Sequence, residues 1–185
     1  MGVVYLNPAA STVNNNWDET DVSYLAQGQT SNTWTTTANG ADLFVTLADF
    51  DNTGVAYITR VQIIIYGDYD ARSGSWTAQT AITNASGTAY YLENLTIPAG
   101  RTPSTVGGTI HATSDGSTAW TDSDLDGMKI RVGSANCTTL GRMIQFYIKV
   151  SYVEGYHNTV NGVRPANIGK INGVATADIS KVNGV

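Results

Sequence analysis

Between Ile144 and Tyr152 every second residue is apolar: Ile144, Phe146, Ile148, Val150 and Tyr152 fall on one side, and Gln145, Tyr147, Lys149 and Ser151 on the other. A two-residue period is that of an extended strand, whose successive side chains point to opposite faces. A chain that repeats this pattern must build sheets with one face on a core and the other in water. The pattern returns in Leu43-Phe44-Val45-Thr46-Leu47, in Val61, Ile63 and Ile65 within Arg60 to Tyr66, and in Met128-Lys129-Ile130-Arg131-Val132. Trp76 to Thr83 and Thr88 to Ile97, rich in β-branched and aromatic residues, are further strand candidates.

Turn chemistry separates these runs: Asn39-Gly40, Asp51-Asn52-Thr53-Gly54, Arg72-Ser73-Gly74-Ser75, Asn84-Ala85-Ser86-Gly87 and Pro98-Ala99-Gly100. Gly and Asn tolerate the positive φ that tight connections need. No helical stripe appears beyond one turn near Asp122 to Met128. Short strands without βα alternation predict an all-β fold, an antiparallel β-sandwich of jelly-roll-like form. It is assigned to residues 1–155, with residues 7–40 read as long Asn-, Thr- and Ser-rich loops holding one early strand. The hydrophobic fraction of 42 % over 185 residues is enough for one core.

After Val153 the character changes. Val160-Asn161-Gly162-Val163-Arg164-Pro165-Ala166-Asn167-Ile168-Gly169-Lys170 is followed by Ile171-Asn172-Gly173-Val174-Ala175-Thr176-Ala177-Asp178-Ile179-Ser180-Lys181, and a third copy opens as Val182-Asn183-Gly184-Val185. The Asn-Gly pairs recur eleven residues apart, at 161, 172 and 183. Each unit has a turn signal but too few apolar anchors to bury a core alone, so such repeats need stacked neighbours or another chain. Residues 156–185 therefore form a predicted C-terminal arm. Its partner-binding anchors are Val160, Val163, Ile168, Ile171, Val174, Ile179, Val182 and Val185.

The net charge of −5 and the ten scattered basic residues argue against a nucleic-acid interface, which needs clustered Lys and Arg. No apolar run is long enough to span a membrane, and the N-terminus lacks a basic segment ahead of an apolar one, so synthesis in a cytoplasm without standard export is expected. In that setting the glycosylation-like triplets at Asn84, Asn94 and Asn136 are chance matches. The lone Cys137 excludes an internal disulfide and reads as a small buried hydrophobe.

Candidate chemistry is sparse. Asp122-Ser123-Asp124-Leu125-Asp126-Gly127 matches the first half of a calcium loop, but Gly133 stands where the closing carboxylate belongs. Asp122, Asp124 and Asp126 are thus a weak metal candidate, and a turn capped by Thr121 or Asp122 is the preferred reading. Asp68, Asp70, Glu93 and Glu154 show no spacing that selects a catalytic pair. His111 and His157 have no nucleophile or metal motif beside them and read as polar surface residues. No catalytic residue and no cofactor is expected. Trp17, Trp34 and Tyr69 are the candidates for stacking a glycan, with a core or loop-anchoring role as the default for such rings.

Three stretches give the chain a resemblance to the small jelly-roll structural proteins of tailed bacteriophages, found as capsid decoration, head-fibre or tail components. They are the Trp-led turn and strand from Trp120 to Gly133, the closing strand from Arg142 to Val153, and the repeats around Ile168 to Val174 and Ile179 to Val185. The resemblance implies a non-enzymatic virion protein, made in the host cytoplasm. It would be a capsid decoration or fibre-base component that assembles through its arm with capsid or tail subunits, as a homo-oligomer with a trimer expected. The alternative is a carbohydrate- or receptor-binding β-sandwich module of a tail fibre or bacterial surface system.

Overall fold

The computed structural model describes residues 1–15, 17–18, 25–26, 28, 34–36, 40, 42–70, 75–84, 88–137, 140–154, 170–171 and 174–175. The strands are β1 (Gly2–Leu6), β2 (Pro8–Asn15), β3 (Trp34–Thr36), β4 (Asp42–Leu47), β5 (Val55–Asp70), β6 (Ser75–Thr83), β7 (Ala89–Pro98), β8 (Gly100–Gly107), β9 (Lys129–Ala135), β10 (Leu140–Glu154), β11 (Lys170–Ile171) and β12 (Val174–Ala175). One short helix, α1 (Asp122–Leu125), precedes β9.

Two five-stranded sheets face each other. The first has the order β1-β10-β5-β8 with β3 added on β10, and the second has the order β2-β4-β9-β6-β7. Every pairing within them is antiparallel. Without β2 and β3 eight strands remain, and their partners are nested: β1 with β10, β4 with β9, β5 with β8, β6 with β7. That is one long two-stranded ribbon with its tip at β6–β7. It is rolled so that β10 also meets β5 and β9 also meets β6. A rolled ribbon of this kind is a jelly roll, and its winding closes two sheets over one core.

The alternation sets which residues fill that core. Leu43, Val45, Leu47, Trp76, Ala78, Ile82, Leu95, Ile97, Ile130 and Val132 point inward from the second sheet, and Val61, Ile63, Ile65, Phe146, Ile148 and Val150 from the first. The β10 pattern has one break that the sequence conceals. Met143 pairs with Gly67 but Gln145 with Tyr66, so two residues of β10 oppose one of β5. This bulge switches the inward parity, which is why odd-numbered Met143 and even-numbered Phe146 are both fully buried. Gly67 is required there: a Cβ on it would lie 2.2 Å from the carbonyl oxygen of Arg142.

Asp68 and Cys137, both buried, have polar partners. Asp68, 1 % exposed, accepts from Arg142 Nε at 2.5 Å and from Arg142 Nη2 at 2.6 Å, while its carbonyl accepts from Trp76 Nε1 at 3.1 Å. Cys137 is buried, its thiol donates to the Thr36 carbonyl at 3.3 Å, and burial pushes its pKa up. The stretch expected as long loops with one early strand, residues 7–40, holds β2 and β3. Edge strands β1 and β8 also formed where the residues show no clean alternation. Pairing with a neighbour, rather than propensity, makes these strands.

In the arm, β11 and β12 pair antiparallel, Lys170 with Ala175 and Ile171 with Val174, flanking the Asn172-Gly173 of the second repeat. This is the register of a two-residue hairpin, for which Asn-Gly is the preferred sequence. The other anchors, Val160, Val163, Ile168, Ile179, Val182 and Val185, lie outside the described residues, as does His157.

Candidate functional site

Two of the rings expected to stack a glycan lie in the core instead. Trp17 is 7 % exposed and edge-on to Trp76, with centroids 6.1 Å apart, and Tyr69 is 3 % exposed. Neither presents a free face. Tyr69 follows the inward parity of Val61, Ile63 and Ile65, so alternation extended along β5 would have placed it. Trp34 opens β3, and its side chain lies outside the described residues.

The Asp122 to Gly127 loop is a structural turn. Thr121 caps α1: its Oγ1 accepts from the Asp124 amide at 3.3 Å, and the Asp124 carboxylate accepts from the Thr121 amide at 2.8 Å, a reciprocal capping box. The carboxylates diverge. Asp122 accepts from the Asn52 side-chain amide, Asp124 from the Tyr90 hydroxyl at 3.0 Å, and Asp126 from the Phe50 amide at 3.1 Å. The loop thus staples residues 50–52 and β7 to α1, and among the described residues no group of three metal-ligating side chains converges. Burial, and then the hydrogen bond to Asp124, push the Tyr90 hydroxyl up to about 12.

His111 is not a surface residue. Its Nε2 meets Glu93 Oε1, both side chains are 10 % exposed, and its ring stacks on Tyr91 with centroids 3.5 Å apart. Glu93 also accepts from the Thr109 amide at 3.0 Å, and Trp120 Nε1 donates to the His111 carbonyl at 3.1 Å. The cluster ties the 108–121 loop across the edge of the sandwich. Its sequence signal was Glu93 itself, a charge on the inward parity of Tyr91, Leu95 and Ile97, where a partner is obligatory.

The open site lies on the outward face of the second sheet. Register places Asp42, Gly133, Gln79 and Asn94 side by side across β4, β9, β6 and β7, and in the next row Phe44, Arg131, Ala81 and Leu92. Their chain neighbours point into the core, so these residues point out. Gly133 and Ala81 leave the middle of the face low. A groove of about 280 Å3 lies here, lined by Gln79, Thr80, Leu92, Glu93, Asn94 and Arg131.

Its electrostatics are balanced. Arg131 donates to Asp42 Oδ1 through Nε at 2.8 Å, its Nη2 lies 2.7 Å from the same oxygen, and its guanidinium sits 5.9 Å from the Phe44 ring centre. A guanidinium has five N–H donors, so three remain for a ligand. The side-chain amides of Gln79 and Asn94 each add one acceptor and two donors. Beside them Leu92 is 74 % exposed. Paired donors and acceptors next to an apolar side chain suit a flat molecule with hydroxyls on its rim and C–H groups on its face.

No protein-family profile matches the chain, and neither does any curated protein. Among solved structures it is similar to CBM35 from Cellvibrio japonicus Abf62, with TM-score 0.46 and 15 % identity over 86 % of this chain and 100 % of that one. The C-terminal CBM6 of LamC, a laminarinase from Zobellia galactanivorans, scores 0.46 with 12 % identity over 81 % and 99 % of the two chains. The enzymatically active domain of Bacteriophage CBA120 tailspike protein 4 scores 0.36 with 12 % identity, over 80 % of this chain and 18 % of that one. These likenesses are loose.

Proposed function

We propose that this protein is a non-catalytic carbohydrate-binding β-sandwich module whose ligand lies in the groove of the second sheet. The observation that carries this reading is the row Asp42, Gly133, Gln79, Asn94 beside Arg131 and Leu92, an open face whose amides and spare guanidinium donors match vicinal hydroxyls. Because Asp42 already neutralises Arg131, the groove favours neutral sugars. The buried carboxylates support a non-enzymatic role: Asp68 is matched to Arg142 and Glu93 to His111, each in its own place. A glycan array tests the proposal. Wild type retains a set of neutral glycans, and Gln79→Ala with Asn94→Ala weakens them about tenfold, or about 1.4 kcal/mol, without changing the melting temperature. An array with no neutral ligand overturns it.

A second element has its own support. The β11–β12 pair around Asn172-Gly173 gives the eleven-residue repeat a structured unit of four described residues, too small to bury its aliphatic anchors alone. On this reading the arm assembles the module with copies of itself and with neighbouring subunits, as a component of a tailed-phage virion made in the host cytoplasm. Removing residues 158–185 should leave a sandwich that melts as before but runs as a monomer in light-scattering chromatography. An unchanged oligomer would eliminate the arm as the assembly element.

A further inference from the structure

The outward face of the first sheet is dressed differently. Register sets Tyr5, Lys149 and Gln62 in one row across β1, β10 and β5, and Val3, Ser151 and Arg60 in the next. Lys149 and Arg60 are therefore diagonal cross-strand neighbours, a spacing of about 7–8 Å or less. Between them lies a dimple of about 60 Å3 lined by Arg60, Gln62, Ile110, Lys149 and Ser151, too small for a whole ligand and large enough for one substituent. Among the described residues neither cation has a carboxylate partner, unlike Arg131 and Arg142, although the chain carries a net charge of −5.

The surroundings favour a sugar as the carrier of that substituent. Tyr5, directly beside Lys149, is 39 % exposed and braced edge-on by Tyr147 at 5.4 Å between centroids. On the other side Ile110 is 50 % exposed. It is held in place where Val61 and His111 exchange two backbone hydrogen bonds of 2.9 Å, and Gln62 Nε2 donates to the Gly108 carbonyl at 2.8 Å. A braced aromatic ring next to an ammonium is a stacking platform beside an anion receptor.

We infer that the first sheet's outward face is a second binding site, selective for a saccharide that bears a carboxylate or sulfate. The sugar ring rests against Tyr5, and its anionic group sits between Lys149 and Arg60. The site lies on the opposite side of the sandwich from the neutral groove and stands or falls apart from it.

The test is calorimetric titration of the full chain with four probes: oligogalacturonate, the same oligomer with its carboxylates esterified, a sulfated galactan oligosaccharide, and poly-L-glutamate. Oligogalacturonate or the sulfated oligomer should bind, and comparing the two identifies which anion the dimple takes. Esterification should abolish binding. Raising salt from about 0.1 to about 1 M, which shortens the screening length from about 10 to about 3 Å, should weaken it. The double variant Lys149→Gln with Arg60→Gln should lose about tenfold or more in affinity. Tyr5→Ala should lose several-fold. The proposal is overturned by failure of both acidic sugars to bind, by undiminished binding of the esterified oligomer, or by poly-L-glutamate binding as tightly as the sugars and unaffected by Tyr5→Ala.

Discussion

The two outward faces of this sandwich share strand geometry and one core, yet one is polar and neutral and the other carries cations unpaired among the described residues. On the second sheet Arg131 is adjacent across the strands to Phe44 and within reach of Asp42, so its charge is cancelled and the face is polar but neutral. On the first sheet Lys149 lies between Tyr5 and Gln62, and Arg60 lies opposite Ser151. Nothing in those rows cancels either charge. The difference shows that cross-strand neighbours, more than the residue types on any single strand, decide the charge a sheet face presents.

The strongest way to break the comparison is to remove what both faces share. Trp76 is fully buried between the sheets and anchors Asp68 through its indole N–H. Trp76→Ala should cost about 3–5 kcal/mol and lower the melting temperature by about 10 °C, with binding at both faces lost together. Calorimetry on the variant checks this, and an unchanged transition would show that the faces do not rest on a common core.

A gentler change should make one face resemble the other. Asp42→Asn frees Arg131, so the groove should gain affinity for acidic oligosaccharides by about threefold to tenfold while losing preference for neutral ones. The pair is a third exposed, so its removal should cost under about 1 kcal/mol of stability. Titration with oligogalacturonate before and after the change decides the matter, and no gain would mean that Asp42 does not set the neutrality of the groove.

The smallest effect concerns pH. The Tyr90 hydroxyl is held protonated up to about 12 in the folded chain, against an ordinary value of 10. Above pH 10 the unfolded chain releases this proton while the folded chain keeps it, so stability should fall between pH 10 and about 12 and be unaffected by this group below that window. Tyr90→Phe should flatten that part of the stability profile. Chemical denaturation across the alkaline range measures it, and an identical slope in the variant would dissociate Tyr90 from the effect.

Much of the fold could be read from the chain, because strand character is carried by spacing over a few residues. The runs at Leu43 to Leu47, Arg60 to Tyr66, Trp76 to Thr83, Thr88 to Ile97, Met128 to Val132 and Ile144 to Tyr152 all lie in strands or at their margins. Thr121 likewise announced its turn, since a helix cap acts within the first turn. What escaped was whatever depends on a partner. β8, with Pro103 and several small polar residues, is a strand because β5 offers it hydrogen bonds. The Met143 bulge is set by the close approach of Gly67, far away in the chain.

The sites divide in the same way. From its spacing alone this sequence determined that β10 and its counterparts are strands, that their odd or even positions face a core, and that the arm repeats every eleven residues around Asn-Gly. Only the tertiary structure decided that Asp42 meets Arg131, 89 residues on, that Asp68 meets Arg142, 74 residues on, and that Lys149 lies diagonal to Arg60. Alternation is a local property of a pleated backbone. Register is a sum of packing and hydrogen bonding over whole strands, and a one-residue slip would exchange every inward side chain for an outward one.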